Sequence, residues 1–313
     1  MGFYIFRRCV STIPVMALVA FLVFTLLYIA PGDPAEMIAG SSATPEHIAA
    51  VRESLGLNQP FLVRFVDWLG DVLQGDLGKS ILSGKPVVGL ILSRLEPTLS
   101  LMALTLIFAV CTAIPLGVIA AQNAGSWIDR LIMSVAVLGF SVPVFATAYV
   151  LAYVFSIDLK WFPIQGYAHL SRGVGPWLSH LVLPAVSLGS VYMALIARIT
   201  RASMLEVLNQ DYIRTARAKG QSRFKILFLH ALKNASVSIM TVIGLGIALL
   251  IGGAVVTESV FAIHGIGHLT IDAILQRDYP LIQGVVLFFS FIYVLVNLLV
   301  DISYTLIDPR IRY

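Results

Sequence analysis

Charged residues are scarce in this sequence. Asp, Glu, Lys and Arg make up 12% of its 313 residues, whereas 58% are hydrophobic, and the mean hydropathy is +0.90. Because an ordinary soluble domain carries roughly 25% charged residues, this composition excludes that class. The chain is predicted to be an integral protein of a lipid bilayer, and we expect it to bind no nucleic acid.

Cysteine is also scarce, and clusters that carry catalysis are missing. Cys9 and Cys111 form no C-x-x-C pair, and we expect both to pack in or beside membrane spans. The string GDLGKS lacks the first glycine of a phosphate-binding loop, because Leu73 stands there. His264 and His268 have two glycines between them and no third metal ligand nearby in sequence. We therefore predict no enzyme, nucleotide site or metal site in this chain.

Six apolar runs meet or approach the ~20 residues that a helix needs to cross a bilayer. They are residues 9–30, 97–128, 131–157, the part of 173–197 that follows His180, 234–257 and 279–300. The first run is longer than the ~7 to 15 residues of a signal-peptide core, so we expect it to be retained. The sequence predicts an all-α membrane protein, with six transmembrane helices in a single domain over residues 1–313.

The Lys and Arg residues are unevenly distributed between the connections. An even number of spans places both termini on one side, which then holds the larger share of the 21 Lys and Arg residues. Because basic residues favour the cytoplasmic side, both termini are predicted to be cytoplasmic. The long connection of residues 31–96 then lies outside, and the basic connection of residues 206–235 lies inside.

The outer connection contains an amphipathic stripe. Its apolar residues follow helical spacing and are Leu62, Phe65, Val66, Leu69 and Leu73. Two interpretations remain open: a helix lying on the membrane or on other spans, and a seat for an external partner.

The basic connection reads DYIRTARAKGQSRFKILFLHALKNA over residues 211–235. Its pattern predicts a short basic helix that ends at a corner at Gly220, followed by a second amphipathic helix from Phe224 into the fifth span. The basic face could lie on anionic lipid or dock a cytoplasmic protein.

The centres of the six runs carry no charge, which argues against an ion-coupled secondary transporter and leaves that class as the alternative. They carry glycine and proline instead. These residues either permit close packing of spans or let a pathway-lining helix flex. The candidates for either role are Gly139, Pro143, Gly244, Ala248 and Gly252.

Several strings resemble one family over nearly the whole chain. RTARAKG and HALKNA resemble the EAA loop of permease subunits of bacterial ABC importers, in the dipeptide, oligopeptide and nickel branch. PGDP, LGLNQP, QGDLGKS, ESVFAIHGIG, RDYP and DPRIR have counterparts there in the same order. The sequence departs from the family pattern at four positions: Arg214 and Thr215 replace the usual Glu and Ala, Ser238 replaces Pro, and His264 precedes Gly265 where Pro-Gly is common.

The resemblance implies a type I ABC importer permease fold in a bacterial inner membrane. It implies a second similar permease subunit, usually in a heterodimer, two cytoplasmic ATPases that carry ATP and Mg²⁺, and an extracytoplasmic solute-binding protein. No cofactor is expected on this chain. Peptides are the first choice of substrate, with nickel chelates or another small solute as alternatives.

Two sets of contact residues follow from the resemblance. The ATPase-docking coupling helix would comprise Ile213, Arg214, Thr215, Ala216, Arg217, Ala218, Lys219 and Gly220. The candidates that would face the binding protein are Arg64, Asp67, Asp71, His264, Arg277 and Asp278.

Overall fold

The computed structural model describes residues 2–29, 35, 39, 43–54, 56 and 58–307. Within these residues the chain is built from helices, and Lys79 and Pro86 form an isolated antiparallel bridge. The helices are α1 Gly2–Ile29, α2 Pro45–Ser54, α3 Phe61–Leu73, α4 Val87–Ser93, α5 Leu95–Gln122, α6 Trp127–Ser141, α7 Val144–Asp158, α8 Val174–Leu208, α9 Asp211–Ala218, α10 Arg223–Val260, α11 Ile266–Leu275 and α12 Tyr279–Ile307.

Four described helices are long and apolar enough to cross a membrane. They are α5, α8, α10 and the Tyr279–Ile302 part of α12. The bent pair α6 and α7 raises the number to five if the pair forms one span. The first predicted span falls on α1, whose apolar part, Val10–Thr25, is a shorter helix. The all-α membrane class predicted from the sequence is thus confirmed, with four to five candidate spans.

The third predicted span is broken in the middle. The sequence predicts one helix over residues 131–157, but the chain bends by 103° between α6 and α7. Pro143 lies at the break, and Val142 before it is extended, with φ −82° and ψ 127°. Proline has no N–H for the helix ladder and disfavours the helical conformation in the residue before it, which explains the break.

The fourth predicted span, the shortest in the sequence, becomes part of the longest unbroken α-helix among the described residues, the 35-residue α8. It is also the most buried candidate span, since α5, α6, α7 and α10 all pack against it. Close approach to α5 depends on glycine. A Cβ on Gly117 would clash with Thr200 and the Ala197 carbonyl, and one on Gly189 would clash with Phe108.

The chain divides into two compact units. The larger consists mainly of Leu95–His268 together with the end of α12, and its apolar core lies around α8. The smaller consists of Phe6–Arg94 and Leu269–Val294.

In the smaller unit, the predicted amphipathic stripe forms α3. The Phe65 ring packs edge-on against Phe21 and Phe24 of α1, with centroids 5.6 and 5.4 Å away. Trp68 also lies against Phe24, at 5.2 Å. The interpretation that this helix packs on another apolar helix is therefore confirmed for one face. The other face leaves Leu62, Val66 and Leu73 exposed.

Candidate functional site

The basic connection forms a short helix, α9, that is held by one apolar side chain. Ile213 is fully buried, whereas Arg214, Arg217 and Lys219 are exposed. Arg214 lies 3.6 Å from Asp211, and because both side chains are solvated this pair contributes little. The helix thus presents a cationic outer surface, and Ile213, which was predicted to belong to the docking surface, instead anchors the helix to its own chain.

The corner predicted at Gly220 is confirmed. Gly220 has φ +72°, the left-handed conformation that glycine adopts without strain. Its N–H donates to the Arg217 carbonyl at 2.9 Å, and the Gln221 N–H donates to the Ala216 carbonyl at 3.2 Å. These two bonds form a Schellman motif, which satisfies carbonyls at the helix end. The corner fixes the direction in which the chain leaves α9.

The next helix, α10, begins with an irregular segment. The Ser222 hydroxyl accepts a bond from the Lys225 N–H, and residues Ile226–Leu232 form a π-helical stretch. Such widened turns inside helices occur frequently at functional sites.

Side chains of the HALKNA string tie α9 to α10. The Asn234 amide donates to the Tyr212 hydroxyl at 3.1 Å and to the His230 carbonyl at 2.6 Å. The His230 ring lies 2.8 Å from the Gln221 side-chain oxygen. The string contributes to the family resemblance, but its residues are not among the predicted contact residues. The signal is the three polar side chains of His230, Lys233 and Asn234, which lie where the amphipathic helix enters the fifth predicted span.

An ion pair links α6 and α8 within the same unit. The carboxylate of Asp129 is buried, and it accepts two bonds from Arg201 and one from the Gly125 N–H at 2.9 Å. The two residues lie 72 positions apart in the sequence, and no local pattern pairs them.

A buried carboxylate organises the opposite end of α10. Glu258 is fully buried two residues before the helix ends, accepts from the Thr98 hydroxyl at 2.6 Å and accepts from the His268 N–H at 2.9 Å. A Cβ on Gly265 would clash with Glu258 and Thr98. The departure to His264–Gly265 therefore keeps the glycine that this packing needs.

The connection between α7 and α8 is tied to the start of α5. The Glu96 carboxylate accepts from the Tyr167 hydroxyl and from the Leu170 N–H, both at 3.0 Å, and lies 2.9 Å from the His169 ring. Burial raises the pKa of the Tyr167 phenol above its ordinary value, so the hydroxyl keeps its proton and remains a donor.

The sequence matches two family models over most of its length. Residues 113–313 match the binding-protein-dependent transport system inner membrane component, and residues 1–102 match the N-terminal part of such membrane components. The chain belongs to this family. It is a permease subunit of an ABC importer, which makes it a transport subunit and not an enzyme.

Relatives match the permease end to end. It is 56% identical over 313 residues, all of both chains, to a probable peptide ABC transporter permease protein of Sinorhizobium fredii. It is 43% identical over 310 residues, 99% of both chains, to a glutathione transport system permease protein of Salmonella typhimurium. Among solved structures, a chain of the MetNI methionine ABC transporter in inward facing conformations is similar, with a TM-score of 0.59 and 15% sequence identity. The match covers 70% of the permease and 96% of the MetNI chain. This likeness shows the fold.

The residues predicted to face a binding protein differ in exposure. Asp67, Asp71 and Arg277 are exposed, whereas Arg64 is partly buried and lies over the Phe24 ring. Asp278 is buried. Its carboxylate accepts from the Ser80 hydroxyl at 2.5 Å and from the Ile81 N–H at 3.2 Å. This carboxylate holds the loop before α4 in place, and its burial corrects the prediction that Asp278 faces a partner.

The glycine and proline candidates of the permease also differ in their surroundings. Gly139 packs close to the Ser190 carbonyl, and a Cβ on Gly244 would clash with Val300. Gly252 is exposed, and a Cβ there would meet nothing within 4 Å. The small-residue face of α10 is therefore packed at Gly244 and open at Gly252, with the half-buried Ala248 between them.

Proposed function

We propose that this permease forms half of the translocation pathway of an ATP-driven importer of di- or oligopeptides. The observation that carries the substrate class is the 56% identity, over the whole chain, to a relative named as a peptide permease. The relative named for glutathione, which is itself a small peptide, supports the same class. A second similar permease subunit, two ATPase subunits and a solute-binding protein complete the assembly.

The chain crosses the bacterial inner membrane six times, with both termini in the cytoplasm. The uneven distribution of Lys and Arg supports this orientation, and α1 together with the bent pair α6 and α7 supplies the two spans beyond the four long apolar helices. In this arrangement α9 lies at the cytoplasmic surface, and the exposed residues Asp67, Asp71, His264 and Arg277 face the binding protein.

ATP hydrolysis on the partner subunits is coupled to transport through α9. Acidic residues of the described long helices lie towards helix ends and not at their centres, as in Glu96, Glu206 and Glu258, which leaves no central carboxylate there for ion coupling. The helix α9 is short, basic and exposed, and is anchored by the single buried side chain of Ile213. An ATPase subunit that holds ATP and Mg²⁺ binds this helix and contacts mainly the exposed residues among Arg214–Gly220.

Movement of α9 reaches the spans through its ties to α10. The Tyr212–Asn234 bond joins the two helices, and another face of α10 packs on α8, where a Cβ on Gly253 would clash with Leu188. A displacement of α9 therefore acts on the base of α10, next to its π-helical segment. The break at Pro143 and the open position at Gly252 are the places where spans can shift against a neighbour.

Transport by the purified assembly tests this function. Proteoliposomes that contain the permease, its ATPases and its partner permease would be supplied with binding protein and a radiolabelled dipeptide. We expect uptake that requires internal ATP and survives a protonophore. Competition with unlabelled tripeptide, glutathione and a nickel chelate separates the substrate alternatives. Uptake driven by a proton gradient without ATP would contradict the importer mechanism, and competition by the nickel chelate alone would contradict the peptide assignment.

A further inference from the structure

A cavity of about 490 Å³ lies behind α9 in the larger unit. It is open on one side and is bordered by the end of α5, the end of α8, the helix α9 and the base of α10. The lining residues are Ala121, Gln122, Leu205, Leu208, Asn209, Arg217, Gln221, Arg223, Ile226 and Leu227. This volume lies within the ~300 to 1,000 Å³ of typical small-molecule sites.

The lining is cationic on one part and apolar on another. Arg217 and Arg223 contribute two positive charges, and no lining residue is acidic. With the Gln122 amide oriented so that its oxygen faces Arg223, that oxygen accepts from Arg223 Nη2 at 2.9 Å and from Nε at 2.6 Å. The bonds fix the guanidinium beside the cavity without neutralising it. Five aliphatic side chains and the polar side chains of Asn209 and Gln221 complete the lining, so the site suits an anion that carries an apolar part.

Exposed apolar side chains place this cavity near a bilayer surface. Phe224 and Phe228 on α10 have ring centroids 4.5 Å apart and are 69% and 44% exposed. Leu229 beside them is 58% exposed, and Trp127 at the start of α6 is 72% exposed. An exposed Trp is typical of the membrane interface, where lipid head groups lie, and amphipathic helices in that interface bury Phe and Leu side chains. The same turns of α10 contribute Ile226 and Leu227 to the cavity on their other side.

We propose that this cavity binds the phosphate head group of an anionic phospholipid, with the first methylenes of the lipid on the aliphatic side chains. Basic pockets between membrane helices on the cytoplasmic side are suited to such head groups. The inference rests on the proposed cytoplasmic placement of α9. A lipid in the cavity contacts α9 through Arg217 and α10 through Arg223, and it therefore sets how firmly the coupling helix is held against the spans.

Native mass spectrometry of the purified, delipidated assembly tests the site. Phosphatidylglycerol and phosphatidylcholine would be titrated separately, and we expect at least tenfold tighter retention of one phosphatidylglycerol. The double variant Arg217→Gln with Arg223→Gln should lose this preference. The matched control is Lys225→Gln with Lys233→Gln, which removes the same charge from exposed positions of α10 outside the lining. It should bind phosphatidylglycerol as the wild type does. Melting temperatures in mixed micelles of detergent and phosphatidylcholine check that both variants fold.

Three results would overturn the proposal. The first is equal retention of the two lipids. The second is unchanged phosphatidylglycerol binding in the arginine variant. If that variant also lost its ATPase subunits, the cavity would be a contact with the ATPase and not a lipid site. The third is displacement of phosphatidylglycerol by equimolar glycerol 1-phosphate, which would assign a soluble phosphate as the ligand. Lipid retention is measured without ATP, so its failure is distinguishable from failure of ATP-driven uptake.

Discussion

Arg201 on α8 donates two hydrogen bonds to the carboxylate of Asp129 on α6, from Nε to Oδ1 at 2.5 Å and from Nη2 to Oδ2 at 2.7 Å. Asp129 is 3% exposed, and the Gly125 N–H donates a third bond to it. A bidentate arginine–carboxylate pair is both strong and geometrically specific. The pair therefore fixes α6 against α8 beside the turn that joins α5 to α6.

Loss of this carboxylate should destabilise the larger unit. Asp129→Asn leaves Arg201 without its counter-ion, and since Arg201 remains partly solvated we expect a cost of about 1–3 kcal/mol, below the full range for a buried pair. The measurement is the melting temperature of the purified assembly. Arg130→Gln, which changes an exposed neighbouring charge, is the control. The double variant Asp129→Asn with Arg201→Gln should lose less than the sum of the single changes, and additivity would contradict a direct interaction.

The conformation at Gly220 predicts a difference between two substitutions of the same glycine. A Cβ there would meet nothing within 4 Å, so the cost comes from the positive φ alone. Asn tolerates this conformation and should preserve uptake, whereas the β-branched Val should cost on the order of 1–3 kcal/mol and displace α9. We expect Gly220→Val to insert normally but to lose ATP-driven uptake. Equal uptake by both variants, with the ATPase bound, would show that α9 is not the coupling element.

Gly265 provides a test of the Glu258 cluster. Gly265→Ala adds a methyl group that would clash with Glu258 and Thr98, so the loop between α10 and α11 has to move. We expect a loss of about 1–3 kcal/mol, typical of overpacking, measured as a lower melting temperature. Gly252→Ala is the matched control, because it adds the same group to α10 where a Cβ would meet nothing within 4 Å. A smaller effect at Gly265 than at Gly252 would contradict the tight packing described for this loop.

Local chemistry explains what the sequence could predict. Gly220 marks a helix end by itself, and the stripe of α3 needs only its own spacing, so both were predicted correctly. The Ser80–Asp278 bond joins residues 198 positions apart, and no local pattern carries it. The same limit applies to the burial of Ile213, which depends on the helices around it. The size of the bend at Pro143 likewise depends on packing, although proline predicts that a break can occur.

Cysteine labelling tests the orientation. In a background without Cys9 and Cys111, Ser171→Cys and Ser222→Cys place single thiols at exposed positions on opposite predicted sides. Ser171→Cys should react with a membrane-impermeant maleimide in intact spheroplasts, and Ser222→Cys should react only after permeabilisation. The positive-inside distribution is the physical basis of this expectation. Labelling of Ser222→Cys in intact spheroplasts would reverse the proposed topology.

The bond between Tyr212 and Asn234 should transmit motion from α9 to α10. Tyr212→Phe keeps the ring, which is 45% exposed, and removes only the hydroxyl that accepts from the Asn234 amide. A hydrogen bond of this kind contributes about 0.5–1.5 kcal/mol, so the assembly should stay intact while α9 gains freedom relative to α10. We expect ATPase binding and ATP hydrolysis near the wild-type level, with several-fold less peptide imported per ATP hydrolysed. The control is Thr215→Val, which removes an exposed hydroxyl that bonds only within α9, to the Asp211 carbonyl. If Tyr212→Phe and Thr215→Val lowered the ratio of uptake to hydrolysis equally, the effect would belong to the docking surface of α9, and the Tyr212–Asn234 bond would have no part in coupling.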